Sequence, residues 1–468
     1  MISLTVSELI EQVKGKLLNP SPEFLQKKFE GVSINSRTVT AGNLFVALTG
    51  ENQDGHDFVI QAIDKKAAAV LVQKDRSQKI DLGRITQVPA IQVNNTRIAL
   101  QELAYHYRRK FDLPVIGITG SNGKTTTKEM IAQVLETKYR VLKSQKSFNT
   151  LIGVPLTIFE LSPQTEILVL ELGTSQFGEI YKLSELAQPN LAVFLNIAPA
   201  HLENFGSLEN VAKAKFELLE KLPGDKPVFM NLDDQMLRQR ASIEKHKVIS
   251  YAIDNQADYQ ALNVIISGNG HLDFKVKRNS LRLNLLGRHN VYNALAAYAI
   301  GDYFKLSPQK ISQALQDYHP AHLRMEIQEI RGTKIINDSY NANPASMLAA
   351  LEALAVSKTS GRRIAVLGDM LELGEKSAEL HQEVGRKIPQ LKIDLLITVG
   401  DQAEHLARGA VKNGMPAGAI RSLEDKKRAG QYLLSLIKPG DTVLLKGSRG
   451  MKMEEILKLL LPKESKEN

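Results

Sequence analysis

The sequence predicts an α/β protein of three domains. A small α/β N-terminal domain comes first, then a central P-loop-type domain with a mostly parallel sheet flanked by helices, then a C-terminal Rossmann-like α/β domain. Three observations lead there. Short, wholly apolar runs such as "VIGIT" and "ILVLEL" alternate with amphipathic stretches, which is the texture of strands covered by helices on both faces. The chain has 468 residues, enough for about two to four domains. The texture shifts near residues 110 and 318, dividing the chain into 1–110, 111–318 and 319–468.

In the first domain, "NLFVAL" and "AAAVLV" read as strands and "TRIALQELAYHYRRKF" as an amphipathic helix. "DLPVIGITG" reads as a linker running into a buried strand. In the second domain, "VIGIT", "ILVLEL" and "LAVFLNI" are too short and too apolar for exposed strands and fit a parallel sheet. Later, "ALNVIISGNGHLDFKVKRNSLRLNLLG" alternates around "GNG" and "RNS" turns and reads as an appended antiparallel meander. In the third domain, "RIAVLGDM", "LLITVGD" and "TVLLKGS" are strands that each end at a Gly beside a polar residue. Ligands in doubly wound sheets bind at the carboxyl ends of strands, so these turns are candidate sites. The charged tail "PKESKEN" closes the chain.

Composition narrows the class. Hydrophobic residues make up 43% and charged residues 24%, as in soluble globular proteins. The absence of Cys excludes disulfides, zinc–thiolate sites and thiol catalysis. The net charge of +9 suits a polyanionic partner, nucleic acid or a phosphorylated small molecule. The basic residues are spread along the chain and no RNA-binding aromatic motif appears, which favours a solvated basic surface over a nucleic-acid site. The start "MISLTVSELIEQVKGK" lacks a basic region followed by a long apolar run, and no stretch reaches membrane-spanning length. A cytoplasmic protein without membrane insertion is expected.

The stretch "GITGSNGKTTTKEM" concentrates the chemistry. It ends like a phosphate loop, with Gly-Lys-Thr opening a helix, although Ile118 stands where the strict pattern has its first Gly. Gly120 and Gly123 let the backbone turn tightly and approach an anion. Lys124 can meet the outer phosphates and the Thr125 hydroxyl can hold Mg²⁺. Met130, Ile131, Val134 and Leu135 share one face, so a helix begins here. Lys124 is expected to face solvent. Glu171 ends "ILVLEL", where an acid can reach a metal held by the loop or simply stand exposed. His201 follows "LAVFLNI", a place that would bring it toward Glu171 and Lys124.

At this point the segments resemble the Mur ligase family. "GITGSNGKTT" is similar to that family's loop. "AHLENFGSLENVAKAKFEL" resembles its His-to-Lys segment, leading from His201 to Lys215. "GRHNVYNALAA" resembles its adenine-contacting helix start, with His289, Asn290 and Asn293. "NDSYNANPAS" and "LGDMLELGEKSAELH" look like the member that adds D-alanyl-D-alanine. "SINSRTVTAGNLFVALTGENQDGHDF" resembles a nucleotide-sugar-binding domain, with Ser36 and Arg37 in place. Asn35 stands where the family usually has an acid, and "KSFNTLIGVP" matches only partly around Asn149.

The resemblance implies an ATP-dependent amide ligase of peptidoglycan precursor synthesis, a cytoplasmic monomer. Its partners would be UDP-N-acetylmuramoyl-tripeptide and D-alanyl-D-alanine. Gly120, Ser121, Asn122, Gly123, Lys124, Thr125 and Thr126 would surround the phosphates of ATP, Arg324 would meet the γ-phosphate and Asp338 the ribose. Two Mg²⁺ ions would involve Thr125, Glu171, His201 and a carbamylated Lys215. Without the resemblance, Lys215 reads as an exposed helix lysine like Lys213. Ser36, Arg37, Asn149, Asn341, Lys446, Ser448 and Arg449 would contact the substrates. A related Mur ligase or folylpolyglutamate synthase-like ligase with a different substrate, and a non-catalytic nucleotide- or nucleic-acid-binding protein, are the competing readings.

Overall fold

The strand Val115–Thr119 is buried at every residue, and the largest sheet is built outward from it. The computed structural model describes residues 1–81, 83, 85–267 and 270–461. Residues 268–269 of the expected "GNG" turn, and the tail 462–468, lie outside the described residues. Among the described residues this sheet has nine strands. Ile167–Glu171 and then Val141–Lys143 lie on one side of Val115–Thr119. Leu191–Phe194, Val228–Asn231, Val248–Ala252 and Tyr259–Ser267 follow on the other. All of these pair in parallel. His271–Val276 and Asn279–Leu283 add antiparallel and form the appended meander. The register sets Glu171 beside Ile118 and Phe194 beside Thr119. The segments that follow these strands therefore emerge together at the carboxyl edge, where such sheets bind ligands.

The helix Lys124–Glu136 starts at that edge. Gly123 precedes it with φ of 85°, a conformation glycine adopts without a Cβ clash. A Cβ at this position would lie 2.6 Å from Asn293 Oδ1. Met130, Ile131, Val134 and Leu135 are buried and share a core with Ile118, Val169 and Val193 on one face of the sheet.

The core on the opposite face continues without a break into the first region. Leu168, Leu170 and Phe194 belong to the same cluster as Leu9, Leu100, Leu103 and Tyr107. That region holds a five-stranded sheet in the order Lys16–Leu17, Ala90–Val93, Ala69–Gln73, Leu44–Val46, Val32–Ser33, and the helix Thr96–Arg108. Direct bonds reinforce the apolar joint. Ile2 N–H donates to Phe159 O at 2.6 Å and the Tyr107 hydroxyl to Leu161 O at 2.8 Å.

The last region carries a six-stranded sheet in the order Glu326–Ile330, Thr333–Asp338, Thr442–Lys446, Arg363–Gly368, Leu395–Val399, Ile420–Leu423. Ile336, Ala365, Leu367 and Leu444 face one core, and Ile335, Ile364, Val366, Val443 and Leu445 face another. This alternation is what strands covered on both faces require. The register pairs Asp338 with Lys446 at the carboxyl edge. Leu286 is the buried side chain that the central region contributes to the core with Ile336 and Leu367.

Candidate active site

A cleft of about 660 Å³ lies where the carboxyl edge of the central sheet faces the last region. The loop Ser121–Thr125 forms one wall. Ser121 N–H donates to Asn196 O at 2.9 Å, and Asn122 N–H to Asn196 Oδ1 at 2.8 Å. Ser121 Oγ donates to Ala198 O at 2.9 Å. The segment after Leu191–Phe194 thus sets the shape of the loop. Lys124 does not face solvent as expected. It is half-buried, and its Nζ turns back to Gly120 O at 2.7 Å, because the strand end beneath it offers a carbonyl that water does not reach. Burial lowers the pKa of this ammonium; Glu171 opposes the shift and Arg324 adds to it.

Thr125 Oγ1 donates to Glu171 Oε2 at 2.8 Å and accepts from Arg324 Nη2 at 3.0 Å. Asn149 Nδ2 donates to Glu171 Oε1 at 2.7 Å. The Arg324 guanidinium lies over the Tyr340 ring, 4.0 Å from its centroid. Among the described residues no three His, Asp or Glu side chains gather as a metal cage. One hydroxyl beside one buried carboxylate is instead the partial set of hard oxygens that suits Mg²⁺ arriving with phosphate oxygens and water.

Lys215 is 3% exposed, whereas Lys213 is exposed. The reading of Lys215 as an exposed helix lysine is therefore corrected: Val211 and Leu218, one turn to either side, place it on the buried stripe of the helix Leu208–Glu220. Burial first, and Lys124 second, push its pKa well below the ordinary lysine value, and among the described residues no carboxylate offsets them. The neutral amine this favours has a free lone pair. His201 precedes the short helix Leu202–Phe205 with φ of 52°. Its Nδ1 lies 2.5 Å from Glu372 Oε2 across the cleft, a close polar contact that lowers the pKa of Glu372.

His289 and Asn290 open the helix His289–Tyr303. Thr127 Oγ1 donates to Asn293 Oδ1 at 3.1 Å, Asn293 Nδ2 to Asn290 Oδ1 at 3.0 Å, and Asn290 Nδ2 to Leu286 O at 2.7 Å. Both amides face protein partners, so they brace the loop helix against this one. Nδ1 of His289 is buried without a hydrogen-bond partner among the described residues, and burial lowers the pKa of its ring.

On the facing wall Lys446 is 2% exposed. Its Nζ lies 2.5 Å from Asp338 Oδ2 and 3.0 Å from Asn341 O. Lys446 and Asp338, expected at substrate and at ribose, are thus bound to each other. Ser448 Oγ accepts from Leu371 N–H at 2.8 Å and donates to Ala342 O at 3.2 Å. Arg449 is exposed, with Nη1 2.8 Å from Glu454 Oε1. Thr126 and Asn341 also line the cleft. Gly120 is not part of its lining, and neither are Ser36 and Arg37, which lie in the first region. There Ser36 Oγ donates to Gln61 Oε1 at 2.7 Å, and Arg37 is exposed.

Sequence reasoning named Arg324 but missed Tyr340, Asn343 and Glu372, which also join the two walls. Asn343 Nδ2 donates to Asn122 Oδ1 at 2.8 Å, and Asn122 Nδ2 returns a bond to Asn343 Oδ1 at 3.2 Å. The Tyr340 hydroxyl bonds Ser147 Oγ. Asn343 and Tyr340 lie inside "NDSYNANPAS", and Glu372 inside "LGDMLELGEKSAELH"; the signal was the polar density of those segments. No helix among the described residues is long and apolar enough to cross a membrane.

Comparison with known proteins adds relatives to this geometry. Residues 28–108 match the Mur ligase family catalytic domain, 118–301 the Mur ligase middle domain and 323–449 the Mur ligase glutamate ligase domain. The chain is 40% identical to the UDP-N-acetylmuramoyl-tripeptide–D-alanyl-D-alanine ligase of Bacillus subtilis, over 98% of this chain and 99% of that one. It is 35% identical to the Escherichia coli protein of the same name over the same shares. Among solved structures it is similar to MurF from Acinetobacter baumannii, with a TM-score of 0.88 and 29% identity over 98% and 99% of the two chains. It is also similar to MurF ligase from Thermotoga maritima in complex with ADP, with a TM-score of 0.78 and 28% identity over 92% and 97%.

Proposed function

This chain belongs to the Mur ligase family, and we propose on that premise that it is an ATP-dependent ligase joining D-alanyl-D-alanine to UDP-N-acetylmuramoyl-tripeptide. The observation that carries the reading is the convergence of Lys124, Thr125 bound to Glu171, and Arg324 in one cleft. The peptide carboxylate attacks the γ-phosphorus of ATP, ADP leaves, and an acyl phosphate forms. The dipeptide amine then attacks the acyl carbon and expels phosphate. A carboxylate and a triphosphate repel each other, so positioned countercharge is the main catalytic contribution. Lys124 and Arg324 supply it from the two walls.

Mg²⁺, when bound, would neutralise phosphate charge; Thr125 and Glu171 would hold one ion, and His201 with a carbamylated Lys215 a second. The neutral amine of Lys215 adds to CO₂, giving a carbamate and releasing one proton. Its burial beside Lys124 supports this, because an anion there would be attracted to the neighbouring ammonium. Residues 1–110 hold the nucleotide sugar through Ser36 and Arg37, 111–318 hold ATP, and 319–468 close over it and receive the dipeptide. The protein acts as a cytoplasmic monomer. Phosphate release from ATP tests the assignment: it is expected only when both UDP-N-acetylmuramoyl-tripeptide and D-alanyl-D-alanine are present. Release with neither substrate, or none with both, overturns it.

A further inference from the structure

Lys128 has no part in the reading above, yet its side chain is fully buried one turn beyond Lys124 on the same helix. Its Nζ donates to Ser144 O at 2.5 Å and Lys146 O at 2.6 Å, and lies 2.9 Å from Glu129 Oε1. An ammonium has three donors, and these three partners account for all of them. Two of the partners are main-chain carbonyls of residues 144–150, a segment outside any helix or strand. In such a segment the carbonyls lack ladder partners, and a buried acceptor left unpaired is costly.

The same segment controls Glu171. Ser144 Oγ accepts Glu171 N–H at 3.3 Å, Asn149 Nδ2 donates to Glu171 Oε1 at 2.7 Å, and Asn149 O accepts Gly173 N–H at 2.9 Å. Gly173 makes room for this approach, since a Cβ there would lie 2.8 Å from Asn149 Cγ. With Oε1 held by Asn149, Oε2 of Glu171 is directed to Thr125.

We propose that Lys128 is a positioning residue: by gathering the Ser144 and Lys146 carbonyls it folds residues 144–149 so that Asn149 fixes one oxygen of Glu171 and leaves the other for a phosphate-bound cation. The inference rests on the assignment of Glu171 to that cation. It also explains why a second lysine is buried on this helix: Lys128 is a cross-brace rather than a contact to ligand.

The test is ADP binding with and without Mg²⁺, by calorimetry on the full chain, for wild type, Asn149→Ala, Lys128→Arg, Lys128→Gln and the Asn149→Ala double variants. Two substitutions at position 128 guard against one of them failing to fold, which thermal melting reports. Mg²⁺ is expected to tighten ADP binding in wild type. Each single variant should lose about tenfold of that enhancement, with ADP alone binding as before in the Lys128 variants, and each double variant should lose no more than Asn149→Ala, because both changes act through one contact. An enhancement retained in the Lys128 variants, losses that multiply in the doubles, or equal weakening with and without Mg²⁺ would each overturn the inference and leave the cleft assignment standing. A wild type that binds ADP no better with Mg²⁺ overturns both.

Discussion

The central region has two joints, and they are built differently. Toward the first region it is apolar: one core runs from Leu9 and Leu103 through Tyr107 to Leu168 and Phe194. Toward the last region it is mostly polar: Asn122 meets Asn343, Thr125 meets Arg324 and His201 meets Glu372. Burying a Leu or Phe side chain is worth about 1.5–3 kcal/mol, whereas a polar contact exchanged for water nets about 1 kcal/mol. The apolar joint therefore makes the first two regions one rigid support. The polar joint is the weaker of the two, as suits the closure proposed for residues 319–468. The groups that meet across it lie on the Ser121–Thr125 side and on the facing wall, so the closure proposed above would assemble the site.

Breaking each joint should separate the two behaviours. The largest effect is expected for Phe159→Ala at the apolar joint, a loss of about 3–5 kcal/mol in urea unfolding; a loss under about 1 kcal/mol would deny that one core crosses this joint. Next comes Lys124→Met, expected to lower turnover by about 10²–10³-fold, as for removal of a positioned charge, with little change in melting temperature. Turnover within tenfold of wild type would remove the loop from the reaction. Lys215→Met is expected to stabilise the protein by about 1–3 kcal/mol at neutral pH in CO₂-free buffer. The sign follows from its depressed pKa: the unfolded chain binds the proton that the folded chain sheds, so wild-type stability rises with pH up to the ordinary lysine value. The advantage of the variant should accordingly shrink as pH rises, and a constant advantage would contradict it. Asn343→Ala should have the smallest effect, about 1 kcal/mol from the lost helix cap, with a fewfold lower turnover; the same melting loss without any kinetic change would separate the cap from the joint.

The fold was legible where strands are wholly apolar. "VIGIT", "ILVLEL" and "TVLLK" announce burial on both faces, and the structure has strands there. Glu326–Ile330 and Thr333–Asp338 escape such a reading because an edge strand and its neighbour interleave Glu, Gln, Lys and Asp with Ile. Burial of Lys215 had a signal, since Val211 and Leu218 lie at helical spacing from it. The lack of a countercharge beside it among the described residues had none. The pairing of Lys446 with Asp338 was illegible for a different reason: two strands 108 residues apart must first lie side by side. Local chemistry singled out the loop Gly120–Thr125 as a candidate, but the bracing of Asn290 and Asn293 against Thr127 depends on how two distant helices pack.

The Asn343 oxygen that faces Asn122 also accepts Ser346 N–H at 2.9 Å, and so caps the helix Pro344–Val356. Were the walls to separate, the helix would keep its cap and each freed amide would bond water instead. No charge is stranded at this point. A clasp of this kind would come undone without fraying either side, which is what the proposed closure asks of a fastening.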